Sequence, residues 1–250
     1  MYRFYSPPEQ WRADVLVLTN SEAHHCKNVL RLAAGDKIVL FDGRGRELTA
    51  EIVSTNSSEI QLRKLHEAET PPLHCQITLG QAIPKGKNMD LIVQKAVEIG
   101  AADIVPIISD RTVVRLDEEN ARSKQAKWQS IAIEAAKQCG QNWLPQVQTP
   151  VTLARFFENR RRFDLQLIGS LQSDAMHLKD ILAQFSAEHG DRPRSVLMLV
   201  GPEGDFTPAE LSLARSQGCR PITLGPIVLR VETAAIYCLS ILSYELLVQS

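Results

Sequence analysis

The sequence predicts an α/β protein in two parts: a small, mostly β, barrel-like module over residues 1–72, then a parallel-sheet α/β domain over 73–250. Three observations support this. Four β-favouring runs fall within the first 62 residues. From residue 73 onward, strand-like runs alternate with helical segments, the pattern of an α/β sheet. Between the two, Glu67-Ala-Glu-Thr-Pro-Pro72 breaks the pattern, because consecutive prolines favour an extended linker. At 250 residues the chain is long enough for two domains, each with its own core.

The runs of the first part are Val15-Leu-Val-Leu18, Lys37-Ile-Val-Leu-Phe41, Leu48-Thr-Ala-Glu-Ile-Val53 and Glu59-Ile-Gln-Leu62. Their β-branched and aliphatic residues suit a pleated surface. Asp42-Gly43 with Gly45 supplies the tight connection between two of them. Ser21 to Arg31 is expected as a short helix capped by Ser21.

In the second part strands are expected at 76–82, 104–108, 164–168, 196–200 and 221–224. A helix from Asn88 to Ile99 carries Met89, Ile92, Val93, Ala96 and Ile99 on one stripe, with Gly100 past its end. A longer helix spans about 118–139. Thr207-Pro-Ala-Glu210 is a complete helix start: the threonine caps, the proline occupies the first turn, and the glutamate takes the capping-box position. Such a cap contributes roughly 0.5–2 kcal/mol, and here it holds the preceding Gly201–Phe206 loop between rigid elements. The last helix, Thr233 to Val248, is apolar on more than one face. It is therefore either deeply buried or shared with a second copy, and a homodimer is the expectation.

Composition narrows the class. Hydrophobic content of 44% and charged content of 23% are ordinary for a soluble globular protein. Every apolar stretch is short or interrupted, so no membrane span is expected. The start, Met1 to Pro8, has no apolar secretory segment, and a cytoplasmic protein is the expectation. Five scattered cysteines without a C-x-x-C pair fit reduced thiols rather than a disulfide framework. A net charge of −1 argues against indiscriminate coating of nucleic acid and leaves recognition of one structured site open. Basic residues gather locally, as Lys27 with Arg31, Arg44 with Arg46, and Lys85 with Lys87. The run Arg160-Arg-Arg162 is expected as a solvated face.

Two glycine-proline loops carry the functional signal. Val196–Val200 leads into Gly201-Pro-Glu-Gly-Asp-Phe206, and Ile222–Leu224 leads into Gly225-Pro-Ile-Val-Leu-Arg230. Open α/β sheets bind ligands beyond the carboxyl ends of their strands, so these loops are either a cofactor pocket built from backbone or two ordinary turns. The chain has no G-x-G-x-x-G after an early strand and no G-x-x-x-x-G-K-[ST] phosphate loop. A nucleoside-like cofactor without a polyphosphate tail would suit apolar walls such as Leu224, Ile227 and Leu229. Arg230 and Glu232 flank the start of the last helix; they either pair with each other or cap it, or Arg230 stabilises negative charge on a substrate. Glu203 either orients a substrate or lies in solvent. His24-His25-Cys26 has no partner motif and is not expected to hold a metal. No G-x-S-x-G elbow supports a hydrolase.

Taken together, Gly201-Pro-Glu-Gly-Asp-Phe-Thr-Pro-Ala-Glu210 and Leu224-Gly-Pro-Ile-Val-Leu-Arg-Val-Glu-Thr-Ala234 closely resemble the RsmE family. These are bacterial small-subunit ribosomal RNA methyltransferases that modify N3 of a uridine, within the trefoil-knotted SPOUT superfamily. His24–Arg31, Lys85–Asp90, Gln94–Gly100, Pro106 with Ser109-Asp-Arg111, and Glu134–Gly140 match further family motifs, so the resemblance runs nearly end to end. It implies a PUA-like RNA-binding β-barrel and a C-terminal SPOUT domain whose deep trefoil knot clasps S-adenosyl-L-methionine, in a homodimer.

The same resemblance assigns the site. Cofactor contacts fall on Ile168, Gly169, Ser170 and Leu171, then on Val200, Gly201, Pro202, Glu203 and Gly204. A third group comprises Leu224, Gly225, Pro226, Ile227 and Leu229, with Thr233 and Ala234 opening the last helix. Arg230 and Glu232 stand beside the transferred methyl as catalytic candidates. Lys27, Arg31, Arg44, Arg46, Lys85, Lys87 and Arg111 are the RNA-binding candidates. The implied partner is small-subunit ribosomal RNA within an assembled 30S particle. The family usually has a second glycine where this chain has Asp205, an arginine where it has Ile227, and commonly an arginine in place of Gln141. Asp205 is expected to be tolerated provided its position needs no positive φ. A SPOUT enzyme of another RNA position, or an assembly factor without catalysis, stays open as an alternative; a nicotinamide oxidoreductase is the more remote one.

Overall fold

The computed structural model describes residues 1–11, 16–56, 59–112, 117–159 and 161–248. Val15 of the first expected strand and Arg160 of the expected arginine face lie outside them. The chain divides into two compact units, Met1–Pro72 with Ile133–Leu144, and Leu73–Ala132 with Pro145–Ser250.

In the first unit β1 (Tyr2–Tyr5), β2 (Leu16–Thr19), β3 (Lys37–Phe41), β4 (Arg46–Thr55) and β5 (Glu59–Glu69) form a half-barrel in the order β1-β3-β4-β5-β2. β1 runs parallel to β3, and the other pairs are antiparallel. Period-two alternation turns Leu48, Ala50 and Ile52 of β4 inward, where they join Phe4, Leu18, Ile38, Leu40 and Ile60. β5 continues through Glu67–Glu69, which the prolines had placed in the linker, because these residues pair with Arg46–Leu48. α1 (Asn20–His24) starts after Thr19 rather than at Ser21, and no side chain caps it. It passes into a π turn, His25–Val29, and soon afterwards Arg31 takes φ 56°.

Residues Ile133–Leu144 complete this unit. The Gly45 N–H donates to the Asn142 carbonyl (3.0 Å), the Leu144 N–H to the Gly43 carbonyl (3.0 Å), and the Thr70 N–H to the Gly45 carbonyl (2.8 Å). The Trp143 indole donates to the Thr70 carbonyl at 2.8 Å. Gly45 takes φ 98°, and a Cβ there would lie 2.6 Å from the Thr70 carbonyl oxygen. Nearby, Arg3 donates to Glu47 (2.6 Å) and to the Asn142 amide oxygen (2.5 Å). Burial pushes the Glu47 carboxyl up, but the hydrogen bonds from Arg3 and Asn142, with the Arg3 charge, outweigh it and hold the carboxyl below its ordinary value.

The second unit alternates strands and helices: β6 (Gln76–Ala82), α2 (Asn88–Ile99), β7 (Asp103–Ile108), α3 (Glu118–Cys139, its last turns in the first unit), β8 (Gln146–Val147), β9 (Val151–Thr152), α4 (Leu153–Glu158), β10 (Leu165–Gly169), α5 (Leu178–His189), β11 (Ser195–Val200), α6 (Pro208–Ser216), β12 (Arg220–Ile222) and α7 (Val231–Leu246). The sheet order is β12-β10-β11-β6-β7-β8, with β9 also on β7, and every pairing is parallel. Such strands are covered on both faces and read as continuous apolar runs; Val196–Val200 of β11 are all buried.

Val97, not Ile99, completes the buried stripe of α2, and Gly100 ends that helix at φ 93°. α7 begins at Val231, two residues earlier than expected, because the extended Arg230 already serves as its N-cap without a side-chain bond that would mark the start. Arg161 and Arg162 are exposed, as expected, and Arg161 also donates to the nearly buried Asp103 carboxylate and to Thr78 Oγ1 (3.1 Å). Cys26, Cys75, Cys219 and Cys238 are free and buried, and Cys139 is free and exposed. Burial raises the Cys26 thiol to about 11 and those of Cys75, Cys219 and Cys238 to about 12. Among the described residues no helix is long and apolar enough to cross a membrane, and no group of three or more His, Cys, Asp or Glu could hold a metal ion.

Two outcomes are expected for the first unit. Gly45→Ala forces a side chain into positive φ and against Thr70, so thermal or denaturant unfolding should report a loss of roughly 1–3 kcal/mol. Because Glu47 titrates lower in the folded than in the unfolded chain, its stabilisation is present above the unfolded pKa and lost as pH falls through the folded one. Denaturant unfolding across an acid pH series should therefore show a shallower loss of stability in Glu47→Gln than in the parent.

Candidate active site

β12, β10 and β11 are neighbours, and the segments leaving their carboxyl ends converge where α2 and α7 begin. Together they enclose a cavity of about 440 Å³. Gly169, Ser170 and Leu171 line it after β10; Val200, Gly201, Pro202, Glu203 and Asp205 line it after β11. The third wall is Leu224, Gly225 and the stretch from Ile227 to Glu232, closed by Ala234 and by Asn88 from α2.

The walls are largely apolar and backbone-rich, Glu203, Asp205 and Glu232 bring carboxylates to them, and among the described residues Arg230 is the only basic one in the lining. Gly225, at φ 105°, leaves open space where a side chain would stand. Gly201 has the opposite requirement, since a Cβ there would sit 2.9 Å from Asp205 Oδ1 and 3.2 Å from the Phe206 nitrogen. An adenosine-type group with one cationic or zwitterionic tail fits such walls, whereas a polyphosphate would lack counter-charge.

Glu210, 7% exposed, holds the second loop in place. Its side chain accepts from the Thr207 N–H (2.9 Å), closing the capping box, and also from Ser109 Oγ (3.2 Å) and the Asp110 N–H (3.0 Å) just beyond β7. From the same segment Arg111 donates to the Gly204 carbonyl. Glu203 accepts from the Lys85 N–H at 2.9 Å, so both flanks of the loop are tied to the strand ends beside it.

Arg230 and Glu232 both face the cavity, and among the described residues they form no ion pair with each other. Arg230 caps α7 through its backbone alone. Glu232, in the first turn of α7, accepts from Asn88 Nδ2 at 3.1 Å. A carboxylate at a helix N-terminus is electrostatically favoured there.

Residues 71–243 match the family described as RNA methyltransferase domain, and residues 18–65 match the RNA methyltransferase PUA domain. Ribosomal RNA small subunit methyltransferase E of Bacillus subtilis is 31% identical over 93% of this chain and 91% of its own length. The Synechocystis protein of the same name is 32% identical over 93% of this chain and 74% of its own. The chain belongs to the ribosomal RNA small subunit methyltransferase E family. A Neisseria gonorrhoeae methyltransferase E structure bound to S-adenosyl methionine matches with a TM-score of 0.85 and 32% identity, covering 98% of both chains. A Legionella pneumophila structure in complex with the bound cofactor SAM matches at 0.87 and 34%, covering 98% of this chain and 97% of that one.

Of the cofactor residues expected for a methyltransferase E sequence, the lining leaves out Ile168, which is wholly buried in β10, and Gly204, Pro226 and Thr233, which face outward. Asn88, Asp205, Val228 and Val231 also line the cavity, beyond the residues expected there. Asn88 lies far from the glycine loops in the chain; its place beyond the carboxyl end of β6 and within the Lys85–Asp90 motif is what marks it. Among the RNA candidates Lys27 donates to the Asn56 carbonyl (3.1 Å), while Arg31 and Arg44 are exposed, Arg44 4.0 Å from Glu9. Arg46 pairs with Glu67 at 2.6 Å and stacks over Trp11 at 4.8 Å. In the second unit Lys85 and Lys87 are exposed, and Arg111 is engaged by Gly204.

Asp205 departs from expectation. It adopts φ 61°, the left-handed region that the family's usual glycine would enter freely. Two hydrogen bonds hold it there: its N–H donates to the Pro202 carbonyl (2.9 Å), and its carboxylate accepts from the Phe206 N–H (2.7 Å). Burial raises the Asp205 carboxyl above its ordinary value, against the Phe206 N–H and the Arg111 charge. A left-handed conformation costs an ordinary side chain about 1–2 kcal/mol, less for Asp and Asn. Asp205→Asn and Asp205→Gly should therefore stay near parental stability, while Asp205→Ala should lose about 1–2 kcal/mol in thermal unfolding.

Proposed function

We propose that this chain methylates N3 of a uridine in 16S ribosomal RNA, with S-adenosyl-L-methionine as methyl donor. The observation that carries the reading is the cavity itself: a backbone-lined site with apolar walls and with Arg230 and Glu232 side by side at its edge, not paired to each other, in a chain of this family. The bound cofactor supplies an electrophilic methyl on a positively charged sulfur. Leu224, Leu229 and the glycine backbones hold the nucleoside part, and Glu203 and Ser170 offer it polar contacts.

A uridine N3 carries a proton and is a poor nucleophile until that proton leaves. Glu232 accepts the proton, and the N3–methyl bond forms as the sulfur–methyl bond breaks, leaving neutral sulfur, a protonated Glu232 and N3-methyluridine. Negative charge spreading onto O2 and O4 is met by Arg230. In-line placement supplies much of the remaining acceleration.

The finer parts of the reading are a PUA-like RNA-binding domain over 1–72, to which Ile133–Leu144 return, and a SPOUT domain over the rest of 73–250 whose chain forms a deep trefoil knot around the cofactor. Lys27, Arg31, Arg44, Arg46, Lys85, Lys87 and Arg111 contact the RNA backbone within a 30S particle. The enzyme acts in the cytoplasm as a homodimer through α7, a pairing favoured by exposed Tyr237 (44%) and Tyr244 (73%).

The test is methyl transfer from labelled cofactor into small subunits lacking the modification, with nucleosides identified by mass spectrometry. N3-methyluridine is expected, and Arg230→Ala should lower the single-turnover rate roughly 100-fold or more. A 2′-O-methyl product, or a near-parental rate in Arg230→Ala, overturns it.

A further inference from the structure

Asn88 is the first residue of α2, yet its side chain does not serve that helix. The cap position is Lys87, no side chain bonds there, and the Asn88 amide instead crosses to α7, where Nδ2 donates to Glu232 Oε2 at 3.1 Å. Both residues are half-buried, and both line the cavity. A glutamate has three rotatable side-chain bonds, so its carboxylate keeps one aim only where something fixes it. An amide does so without carrying charge. An ammonium or guanidinium in the same place would form an ion pair and compete with the incoming proton.

We propose that Asn88 is a positioning residue for the methyl transfer: by holding Oε2 it sets the rotamer of Glu232 and presents Oε1 to the N3 proton of the bound uridine. This rests on the reading of Glu232 as proton acceptor. Asn88 takes no proton itself, and the atoms and charges balance as given for that step. Positioning groups of this kind contribute tenfold to a hundredfold where they have been measured around other reactive ligands.

The test is a double-mutant cycle on the full chain, with single-turnover rates at saturating cofactor and small subunits for the parent, Asn88→Ala, Glu232→Gln and the double variant. Asn88→Ala is expected to slow transfer roughly tenfold, with cofactor affinity by calorimetry changed less than threefold and thermal midpoint kept. In the Glu232→Gln background it should cause no further loss. Asn88→Asp, of the same shape but without the donor, should lose at least as much as Asn88→Ala and serves as the second variant if the alanine destabilises the fold. Equal losses in both backgrounds, or a parental rate for Asn88→Ala and Asn88→Asp, overturn the positioning role while leaving the methyltransferase reading intact. A parental rate for Glu232→Gln overturns the proton-acceptor reading and the positioning role together.

Discussion

The buried side chain of Glu210 is the constraint on which the Gly201–Phe206 loop depends. Removing a carboxyl group from water costs several kcal/mol unless donors replace the lost hydration. Here the donors come from two places: the Thr207 N–H in its own helix start, and Ser109 Oγ and the Asp110 N–H beyond β7. The side chain is satisfied only while those segments stay together. That requirement fixes the start of α6 against the end of β7, and with it the α6 flank of the Gly201–Phe206 loop.

Everything at the cavity edge follows from elements that start or stop there. Parallel strands end in line, so β10, β11 and β12 deliver three loops to one rim. Two helices begin at the same rim, and their unpaired N–H groups add partial positive charge beside Arg230 and the Glu203, Asp205 and Glu232 carboxylates. Arg230 and Glu232 then differ in what they can do. The arginine, capping only through its backbone, keeps its guanidinium available, whereas the glutamate is restrained by a neutral amide. Asp205 shows the cost of this tight geometry: it sits in a conformation better suited to glycine and is held there by the loop's own hydrogen bonds.

Much of this was legible in the sequence, for identifiable reasons. Buried parallel strands are rich in apolar residues, continuously so in Val196–Val200, and β6, β7, β10, β11 and β12 lie within two residues of their expected places. Thr207 and Glu210 announce a helix start through side chains, and α6 begins where they say. α7 has no such signal, because Arg230 caps it by backbone alone, and its start was placed two residues late. β5 overran the expected linker because cross-strand pairing with β4 outweighed the poor strand propensity of Glu67 and Glu69. The Lys85–Asp90 motif contains Asn88, but its contact with Glu232 was not legible, since that partner lies at the other end of the chain and the fold brings them together. The positive φ of Asp205 was equally hidden, because it arises from the turn closed onto Pro202 rather than from the residue type.

The return of Ile133–Leu144 to the first unit has a consequence for how this protein comes into being on a translating ribosome. Asn142, Trp143 and Leu144 supply partners for Gly45, Thr70 and Gly43, and Asn142 also supports Arg3 and Glu47. Those partners are not yet outside when residue 72 leaves the exit tunnel; residues 73–144 must emerge after it. The N-terminal strands therefore wait, incompletely bonded, while the first strands and helices of the second unit emerge. Vectorial synthesis normally lets an N-terminal domain finish first. Here the order is interleaved, and a gene cut at the Pro71-Pro72 linker would hand on a module missing its last piece.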